Sequence, residues 1–270
     1  MIDKSTAFCR RAVNESQSLY VPGYAHAAMT VALVHGFPET SLVWGPLQEC
    51  LDRESIALTL PGLGVPRSSE FSGTKDAYAE ALADALMALE QPVDLVGHDV
   101  GALLTLRLAS AFDLPLRSWA VDVADIFHPR SRWNDRVQKL LTPGVGEEVI
   151  RLERADTEAR LVANGVPDDL AAEMASAHDE TMSQSILDFY RSAEPNVAAD
   201  WWANTGSTHV PGLVLLLPDP PEVEEMSLEV AERFGASTAR LDGLNHAWMA
   251  EAPERVASVL HEFWSTLQQS

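Results

Sequence analysis

The residues best suited to chemistry lie in a five-residue motif with a glycine at each end, Gly97–His98–Asp99–Val100–Gly101. In the related motif G-x-S-x-G, a sharp turn between a strand and a helix lifts a nucleophilic serine above a sheet. Here an aspartate occupies the central position. A serine hydroxyl needs a base to remove its proton, whereas an aspartate is already ionised at neutral pH. The motif therefore predicts that Asp99 is a carboxylate nucleophile.

A carboxylate nucleophile suits reactions at saturated carbon. It is a modest nucleophile that displaces a good or strained leaving group, such as the oxygen of an epoxide or the halide of an alkyl halide. Attack on an ester or amide would give an anhydride that readily reverts, so esterase and peptidase activities are disfavoured. We expect Asp99 to attack such a carbon and form an alkyl–enzyme ester.

Two further candidate catalytic residues follow the motif along the chain. Asp219 comes after an apolar run in "LLLPDPPE", and His246 lies in "LDGLNHAW" before the last predicted helix. Nucleophile, acid and histidine is the chain order of the α/β-hydrolase triad. We expect His246 to activate the water that hydrolyses the ester, and Asp219 to orient His246. Glu222, and after it Asp125, are the alternatives if the proline-rich turn holds Asp219 away.

The segment "HGFPE", residues 35–39, follows an apolar strand and predicts a turn that stabilises negative charge. Hydrolysis of the ester would develop an oxyanion on the Asp99 carboxyl group. We expect the backbone N–H groups of Phe37 and Val100 to form the oxyanion hole. His98, directly before the nucleophile, is expected to pack or to make structural hydrogen bonds.

Short apolar runs alternate with helical stretches around these motifs. Continuous apolar strands separated by helices predict a parallel sheet covered by helices on both faces. The motifs and this pattern together predict an α/β-hydrolase fold. The predicted strands cover residues 30–35, 55–60, 93–98, 118–123 and 212–217, and the predicted helices cover residues 41–52, 75–89, 101–112 and 253–267.

The pattern changes between residues 126 and 205, where apolar strands give way to charged helical segments. This stretch is too long for a connecting loop. We expect it to be a helical cap inserted between two core strands, over the carboxyl ends of the strands. The predicted domains are a core in two parts, residues 1–125 and 206–270, and a cap at residues 126–205.

Composition excludes several classes of partner. The chain has 270 residues and a net charge of −21, which repels nucleic acid and anionic membranes. No apolar run reaches the ~20 residues of a membrane helix. The first residues lack the apolar core of a secretory signal, so we expect a cytoplasmic protein. Histidines and cysteines show no metal-ligand spacing, and we expect neither a metal nor a cofactor. The sequence does not indicate an oligomeric state.

The segments "HGFPETSLVW" and "GHDVGALL" resemble those of epoxide hydrolases, with haloalkane dehalogenases as close relatives. The resemblance covers about Thr30–Asp122 and Pro211–Leu267, and it includes "ILDFYRSAEPN" in the predicted cap. It implies that Tyr190 in that segment donates a proton to the opening epoxide, and that the Phe37–Pro38 peptide bond is cis. The implied function is hydrolysis of a small apolar epoxide to a diol, with water as the second substrate.

A haloalkane dehalogenase with the same aspartate nucleophile is the first alternative. A departing halide needs N–H donors rather than a proton. The resemblance to dehalogenases implies a tryptophan directly after the nucleophile and a second donor, an asparagine or a tryptophan. This chain has Val100 and Phe37 where those donors would first be sought, which favours the epoxide.

The predicted cap departs from the epoxide hydrolase pattern in one respect. That family usually presents two cap tyrosines, whereas Tyr190 is the only tyrosine between residues 126 and 205. Either one hydroxyl group suffices, or another donor assists it. His128, Trp133 and His178 are the candidates for that donor.

Aromatic residues in the predicted cap indicate an apolar substrate. Trp133, Phe189 and Trp201 are the candidate substrate-binding residues, although such side chains also form cap cores. The remaining alternative is a non-catalytic protein that binds a small molecule on a hydrolase scaffold, since fold alone does not prove activity.

Overall fold

A six-stranded parallel sheet forms the centre of the computed structural model, which describes residues 30–89, 91–196, 198–205 and 208–268. The strands are β1 (Thr30–Val34), β2 (Ser55–Leu58), β3 (Val93–Gly97), β4 (Leu116–Val121), β5 (Gly212–Leu216) and β6 (Ser237–Arg240). Their order across the sheet is β2-β1-β3-β4-β5-β6, and every neighbouring pair is parallel.

Helices connect the strands and cover the sheet. They are α1 (Gly45–Cys50), α2 (Lys75–Met87), α3 (Val100–Ala111), α4 (Asp135–Leu141), α5 (Val145–Ala155), α6 (Thr157–Ala163), α7 (Asp168–Ser176), α8 (Glu180–Ser192), α9 (Ala198–Asn204), α10 (Pro221–Phe234), α11 (Trp248–Glu251) and α12 (Pro253–Leu267). Short 3₁₀ helices at Ser41–Trp44 and Ala124–Phe127 complete the set in the described residues.

Both faces of the sheet are buried, because strand side chains point alternately to opposite faces. On β1, Ala32 and Val34 join the core that contains α2, α3 and α10. Val31 and Leu33 point the other way, into the core that contains α1, α11 and α12. This double burial explains the continuous apolar runs of the central strands.

The strand order places a switch point between β1 and β3. The chain passes from β1 to β2 on one side and then returns to β3 on the other side. In open α/β sheets, ligands bind outside the carboxyl ends of the strands at such a point. The "HGFPE" segment follows β1 and Asp99 follows β3, so both motifs lie at the switch point.

Between β4 and β5 the described residues form helices and no strand. We call residues 124–204 the helical insertion. Ion pairs join it to the loops and helices of the sheet domain: Arg67 contacts Asp188 at 2.6 Å, and Lys75 contacts Asp200 at 2.8 Å.

The predicted fold class is confirmed by the parallel sheet and its covering helices. The five predicted strands correspond to β1 to β5, with ends that differ by at most two residues. The prediction did not include β6, because its sequence "STAR" is polar and its residues are mostly exposed at the edge of the sheet.

The predicted domain limits at residues 126 and 205 stay a prediction. The N-terminal residues on which the cytoplasmic expectation depends lie outside the described residues. In the described ranges, none of the helices combines the length and apolar character needed to cross a membrane.

Candidate active site

Asp99 lies at the apex of a sharp bend between β3 and α3. Its backbone has φ 52° and ψ −119°, a region that residues other than glycine seldom adopt. The flanking glycines make the bend possible, because a Cβ atom on Gly97 would collide with the Gly101 carbonyl oxygen. A Cβ on Gly101 would collide in turn with the Val34 carbonyl oxygen. The bend is the turn that the motif predicts.

The turn after β1 holds the Asp99 carboxylate from the other side. The Phe37 N–H donates to Asp99 Oδ1 at 3.1 Å, as expected for one half of an oxyanion hole. A Cβ atom on Gly36 would overlap the Asp99 side chain, so only glycine allows this approach. The Phe37–Pro38 peptide bond is cis, as the resemblance implies. Val100 is the buried first residue of α3, and the parts of Phe37 and Val100 in an oxyanion hole both stay predictions.

His246 reaches Asp99 from the loop before α11. Its Nε2 atom lies 3.6 Å from Asp99 Oδ2, which is an ionic contact rather than a hydrogen bond. The loop is fastened on two sides. Glu251 accepts from the Asn245 backbone N–H at 2.6 Å, and the Asn164 carbonyl of the helical insertion accepts from the Ala247 N–H at 2.9 Å.

Beneath the bend, a fully buried histidine lies between two carboxylates. His98 Nδ1 is 2.6 Å from Asp122 Oδ2, and its Nε2 is 3.2 Å from Glu39 Oε1. Asp122 also accepts from the Asp99 N–H at 3.0 Å and from the Trp248 indole N–H at 2.7 Å. The expected structural hydrogen bonds of His98 are confirmed, and they tie the bend to the ends of β1 and β4.

Neighbouring charges set the protonation states of Asp99, His246 and His98. Burial alone would raise the pKa of Asp99, but the contact with His246, the charge of His98 and the Phe37 N–H lower it to about 2. Burial and His98 oppose protonation of His246, yet Asp99 and Asp122 raise its pKa above the ordinary value. Burial likewise opposes protonation of His98, but Asp122 and Glu39 raise its pKa well above the ordinary value. Asp99 is therefore a carboxylate at neutral pH.

Glu39, His98 and His246 each offer one ligand atom, and these atoms lie within 4.8 Å of one another. Such a group could hold a metal ion. Hydrogen bonds explain the closeness of these side chains equally well, because both ring nitrogens of His98 already face carboxylates.

The structure does not bring the predicted triad acid into contact with His246. Asp219 is exposed, and among the described residues its side chain makes no hydrogen bond to the His246 ring. It is close enough for the charge of His246 to lower its pKa, although burial and Asp122 raise that pKa on balance. Of the two alternatives, Glu222 is exposed, and Asp125 is partly buried near Asp219. The role of Asp219 stays a prediction.

Tyr190 lies in α8 of the helical insertion and packs beside Phe37 of the turn after β1. Its side chain is only 6% exposed, and its ring lies 6.3 Å from that of Phe37, edge to face. Burial, and then the negative charge of Asp99, raise the pKa of Tyr190 to about 12. The guanidinium group of Arg136 lies in polar contact with the hydroxyl group and opposes this rise. Tyr190 is thus a buried, protonated hydroxyl within electrostatic range of Asp99.

Residues 31–259 match the family described as the alpha/beta hydrolase family. The chain belongs to the alpha/beta hydrolase family. A comparison with curated protein sequences found no match.

Several solved structures are similar to this one along most of the chain. A putative epoxide hydrolase from Pseudomonas aeruginosa has a TM-score of 0.76 and 19% identity, with 96% of this chain and 99% of that chain covered. An epoxide hydrolase from Vigna radiata has a TM-score of 0.74 and 18% identity, with 89% and 92% covered. A haloalkane dehalogenase from Bradyrhizobium elkani has a TM-score of 0.70 and 19% identity, with 90% and 91% covered. At these identities the similarity shows the fold.

The three donors suggested as helpers for Tyr190 have other partners in this alpha/beta hydrolase. The buried His128 pairs with Glu229 of α10 at 2.8 Å. The Trp133 indole N–H donates to a backbone carbonyl, that of Ala193, at 3.0 Å. His178 lies between the hydroxyl groups of two other insertion residues, Thr157 at 2.7 Å and Ser183 at 3.2 Å.

The predicted substrate-binding residues divide into two groups. Trp133 and Phe189 flank Tyr190, with ring centroids 5.3 and 5.7 Å from its ring, and Phe189 also packs on Phe37. Trp201 is not brought to this site. Its indole N–H donates to Asp76 of α2, and Lys75 lies 4.6 Å above its ring. Its contacts join α9 to the sheet domain, so a substrate-binding role for Trp201 has no support in the geometry.

Sequence reasoning missed Asp122, Glu39 and Arg136 as members of the site in this hydrolase. Asp122 directly follows β4, and the rule that functional side chains follow parallel strands could have found it. Glu39 stands at the end of the "HGFPE" segment, and no spacing rule assigns it to His98. Arg136 has no local signal, because its position beside Tyr190 depends on the packing of α4 against α8.

Proposed function

We propose that this alpha/beta hydrolase opens small apolar epoxides to diols through an ester on Asp99. The observation that carries the proposal is the arrangement around the Asp99 carboxylate. One oxygen accepts from the Phe37 N–H, and the other faces the His246 ring. The helical insertion then acts as a cap that presents a buried tyrosine hydroxyl, Tyr190, to the same place.

In the first step, an oxygen of the Asp99 carboxylate attacks an epoxide carbon. The carbon–oxygen bond breaks, its electron pair moves to the epoxide oxygen, and that oxygen takes the proton of the Tyr190 hydroxyl. The low pKa of Asp99, about 2, supports this step because the nucleophile is ionised without a base.

In the second step, water attacks the carbonyl carbon of the ester while His246 takes one of its protons. The oxyanion that forms on the former carboxylate is stabilised by the Phe37 N–H, whose position supports this role. When the intermediate collapses, the departing oxygen takes the proton from His246, and the proton left on Asp99 restores the Tyr190 hydroxyl. The sum of both steps is epoxide plus water giving diol.

We propose that Asp219 orients His246 during the second step. It follows β5, where the triad acid is expected, and its charge interacts with that of His246. A rotation of the exposed Asp219 side chain would be needed to form a hydrogen bond to the imidazole ring.

A halide substrate fits the site less well than an epoxide. A departing halide needs N–H donors, and the side chains of Val100 and Phe37 offer none. A departing epoxide oxygen needs a proton, and Tyr190 has one to give. Solved relatives with this fold include both an epoxide hydrolase and a haloalkane dehalogenase, so the experiment has to separate the two reactions.

The test uses His246→Gln, which should form the ester but hydrolyse it very slowly. Incubation with a panel of small epoxides should raise the intact protein mass by the mass of one epoxide. Peptide mapping should place the addition on Asp99. The matched control is Asp99→Ala in the same background, which should gain no mass.

Other outcomes of this experiment would replace the proposal. An adduct with haloalkanes alone, equal in mass to the alkyl group less one hydrogen, would make the protein a dehalogenase. Measurable binding of epoxides without any adduct would make it a binding protein. In the wild type, a single turnover in ¹⁸O-water should also introduce the isotope into the Asp99 side chain.

A further inference from the structure

We propose that Arg136 assists ring opening by stabilising the Tyr190 phenolate that forms as the epoxide oxygen leaves. Arg136 acts through Tyr190, so it is a positioning residue rather than a catalytic one. This inference rests on the proposed function and adds a residue to its first step.

Arg136 is held in place by a two-point contact with a carboxylate. Its Nε and Nη2 atoms donate to Glu153 Oε1 and Oε2 at 2.7 and 2.8 Å, and the guanidinium is in polar contact with the Tyr190 hydroxyl. A bidentate arginine–carboxylate pair fixes both the position and the orientation of the guanidinium plane. The cation is therefore in place before a phenolate forms.

Glu153 does not cancel the charge of Arg136, because it is shared with a second arginine. Arg160 Nη1 lies 2.7 Å from Glu153 Oε1. Two guanidinium groups and one carboxylate give this three-residue cluster a net charge of one positive unit, and Arg136 is its member in contact with Tyr190. A phenolate at this position would meet an attractive field.

The surroundings of Tyr190 make such a field necessary. Its side chain is 6% exposed, and aromatic rings of Trp133, Phe189 and Phe37 surround its own ring. Little water can reach a phenolate there, and an unpaired buried charge is costly. Among the described residues, Arg136 is the cation in contact with the hydroxyl group.

The charge changes of the first step favour the same assignment. Before the reaction, the negative charge of Asp99 opposes ionisation of Tyr190. Ester formation removes that charge at the moment when the Tyr190 proton moves to the epoxide oxygen. The active site then contains a phenolate, a neutral ester and the Arg136 cation, so the single negative charge has moved from the carboxylate towards the arginine. Arg136 keeps its own proton throughout.

The chain offers a matched control for Arg136. Arg191 donates from Nη1 and Nη2 to Glu147 at 2.8 and 2.9 Å, a second bidentate pair between insertion helices. This pair also joins α5 to a neighbouring helix, but it lies at the exposed side of the insertion. Its loss should disturb helix packing as much as loss of the Arg136 pair, without removing a cation from Tyr190.

The experiment measures the rate of ester formation in the His246→Gln background by intact mass. Arg136→Gln should slow ester formation with an epoxide at least about tenfold, because general acid catalysis typically contributes 10²–10⁴-fold. Arg191→Gln should leave the rate unchanged. Arg136→Lys, which keeps the positive charge but not the two-point contact with Glu153, should recover part of the loss.

A series of epoxides with leaving oxygens of different basicity separates stabilisation of the phenolate from a packing effect. Arg136→Gln should slow the most basic leaving oxygen the most, whereas a packing defect would slow all members equally. Equal rates in Arg136→Gln and its parent, or an equal loss in Arg191→Gln, would overturn this inference alone. If His246→Gln itself traps no epoxide, the proposed function falls and the inference falls with it.

Discussion

The ends of β4 and β5 lie side by side in the sheet, yet the acidic residues that follow them have opposite environments. Asp122, after β4, is fully buried and accepts from His98, Trp248 and the Asp99 backbone. Asp219, after β5, is exposed, and no hydrogen bond joins its side chain to His246 in the described residues. Both positions obey the rule that functional side chains follow parallel strands.

This difference in burial and hydrogen bonding suits the two carboxylates to different roles. A carboxylate saturated with donors holds the bend in place and has no free lone pair directed at a second histidine. An exposed carboxylate can rotate to meet the His246 ring when the ring becomes positively charged. The comparison therefore predicts that Asp122 matters mainly for stability and Asp219 mainly for the hydrolytic step.

The largest expected effect is on stability. Asp122→Ala leaves the buried His98 next to a single carboxylate and removes the acceptor of two N–H groups, so we expect a loss of about 3–5 kcal/mol in the free energy of unfolding. Asp219→Ala, at the surface, should change it by less than about 0.5 kcal/mol. Urea unfolding monitored by circular dichroism measures both. Equal losses in the two variants would remove the distinction between the strand ends.

The second expected effect is on the rate of ester hydrolysis. Asp219→Asn cannot stabilise a protonated His246, and we expect it to slow hydrolysis of the ester by roughly tenfold or more while ester formation keeps its rate. Rapid quenching and intact mass should show the ester accumulating during turnover. If the ester accumulates in Asp125→Asn instead, the acid follows β4 and the assignment to Asp219 is wrong. Accumulation of the ester in Glu222→Gln, the first alternative, would likewise show that the assignment to Asp219 is wrong.

The smallest expected effect is a change in the pH dependence of stability. Burial, and then the charge of Asp219, raise the pKa of Asp125 to about 7. The folded state therefore binds the proton more tightly than the unfolded chain, whose aspartates titrate near pH ~4. The stability that this proton provides is complete below pH ~4 and is lost as the pH rises towards about 7.

Asp125→Asn should accordingly flatten the decline in stability between pH 5 and pH 8. Urea midpoints at the two pH values measure the slope, with the exposed Glu222→Gln as the control. A slope in Asp125→Asn that runs parallel to the wild type would show that Asp125 is ionised in the native protein across this range.

The parts of the site that could be predicted from the sequence are those fixed by local geometry. The bend at Asp99 follows from two glycines between an apolar strand and a helix, and the Phe37 turn follows from its own short motif. His246 was found through its place before the last helix. Each of these signals lies within about ten residues of the group that it positions.

The remaining parts depend on packing between distant segments. Arg136 meets Tyr190 only because α4 packs against α8, and a sequence pattern does not contain that register. Trp201 and Trp133 are both tryptophans of the predicted cap, so the sequence favoured both as substrate-binding residues. The Trp201 side chain instead contacts Asp76 and Lys75. The predicted strands succeeded because they are buried on both faces, and β6 was missed because its side chains are polar and exposed.

The backbone at Asp99 has a further consequence. A non-glycine residue with φ near 52° costs about 1–3 kcal/mol, and the neighbours of Asp99 must offset that cost. Glycine would relax there, but it would remove the carboxylate that we propose as the nucleophile. Selection for thermal robustness alone would thus favour loss of this proposed nucleophile, and a programme of stabilising changes should leave Asp99 unchanged.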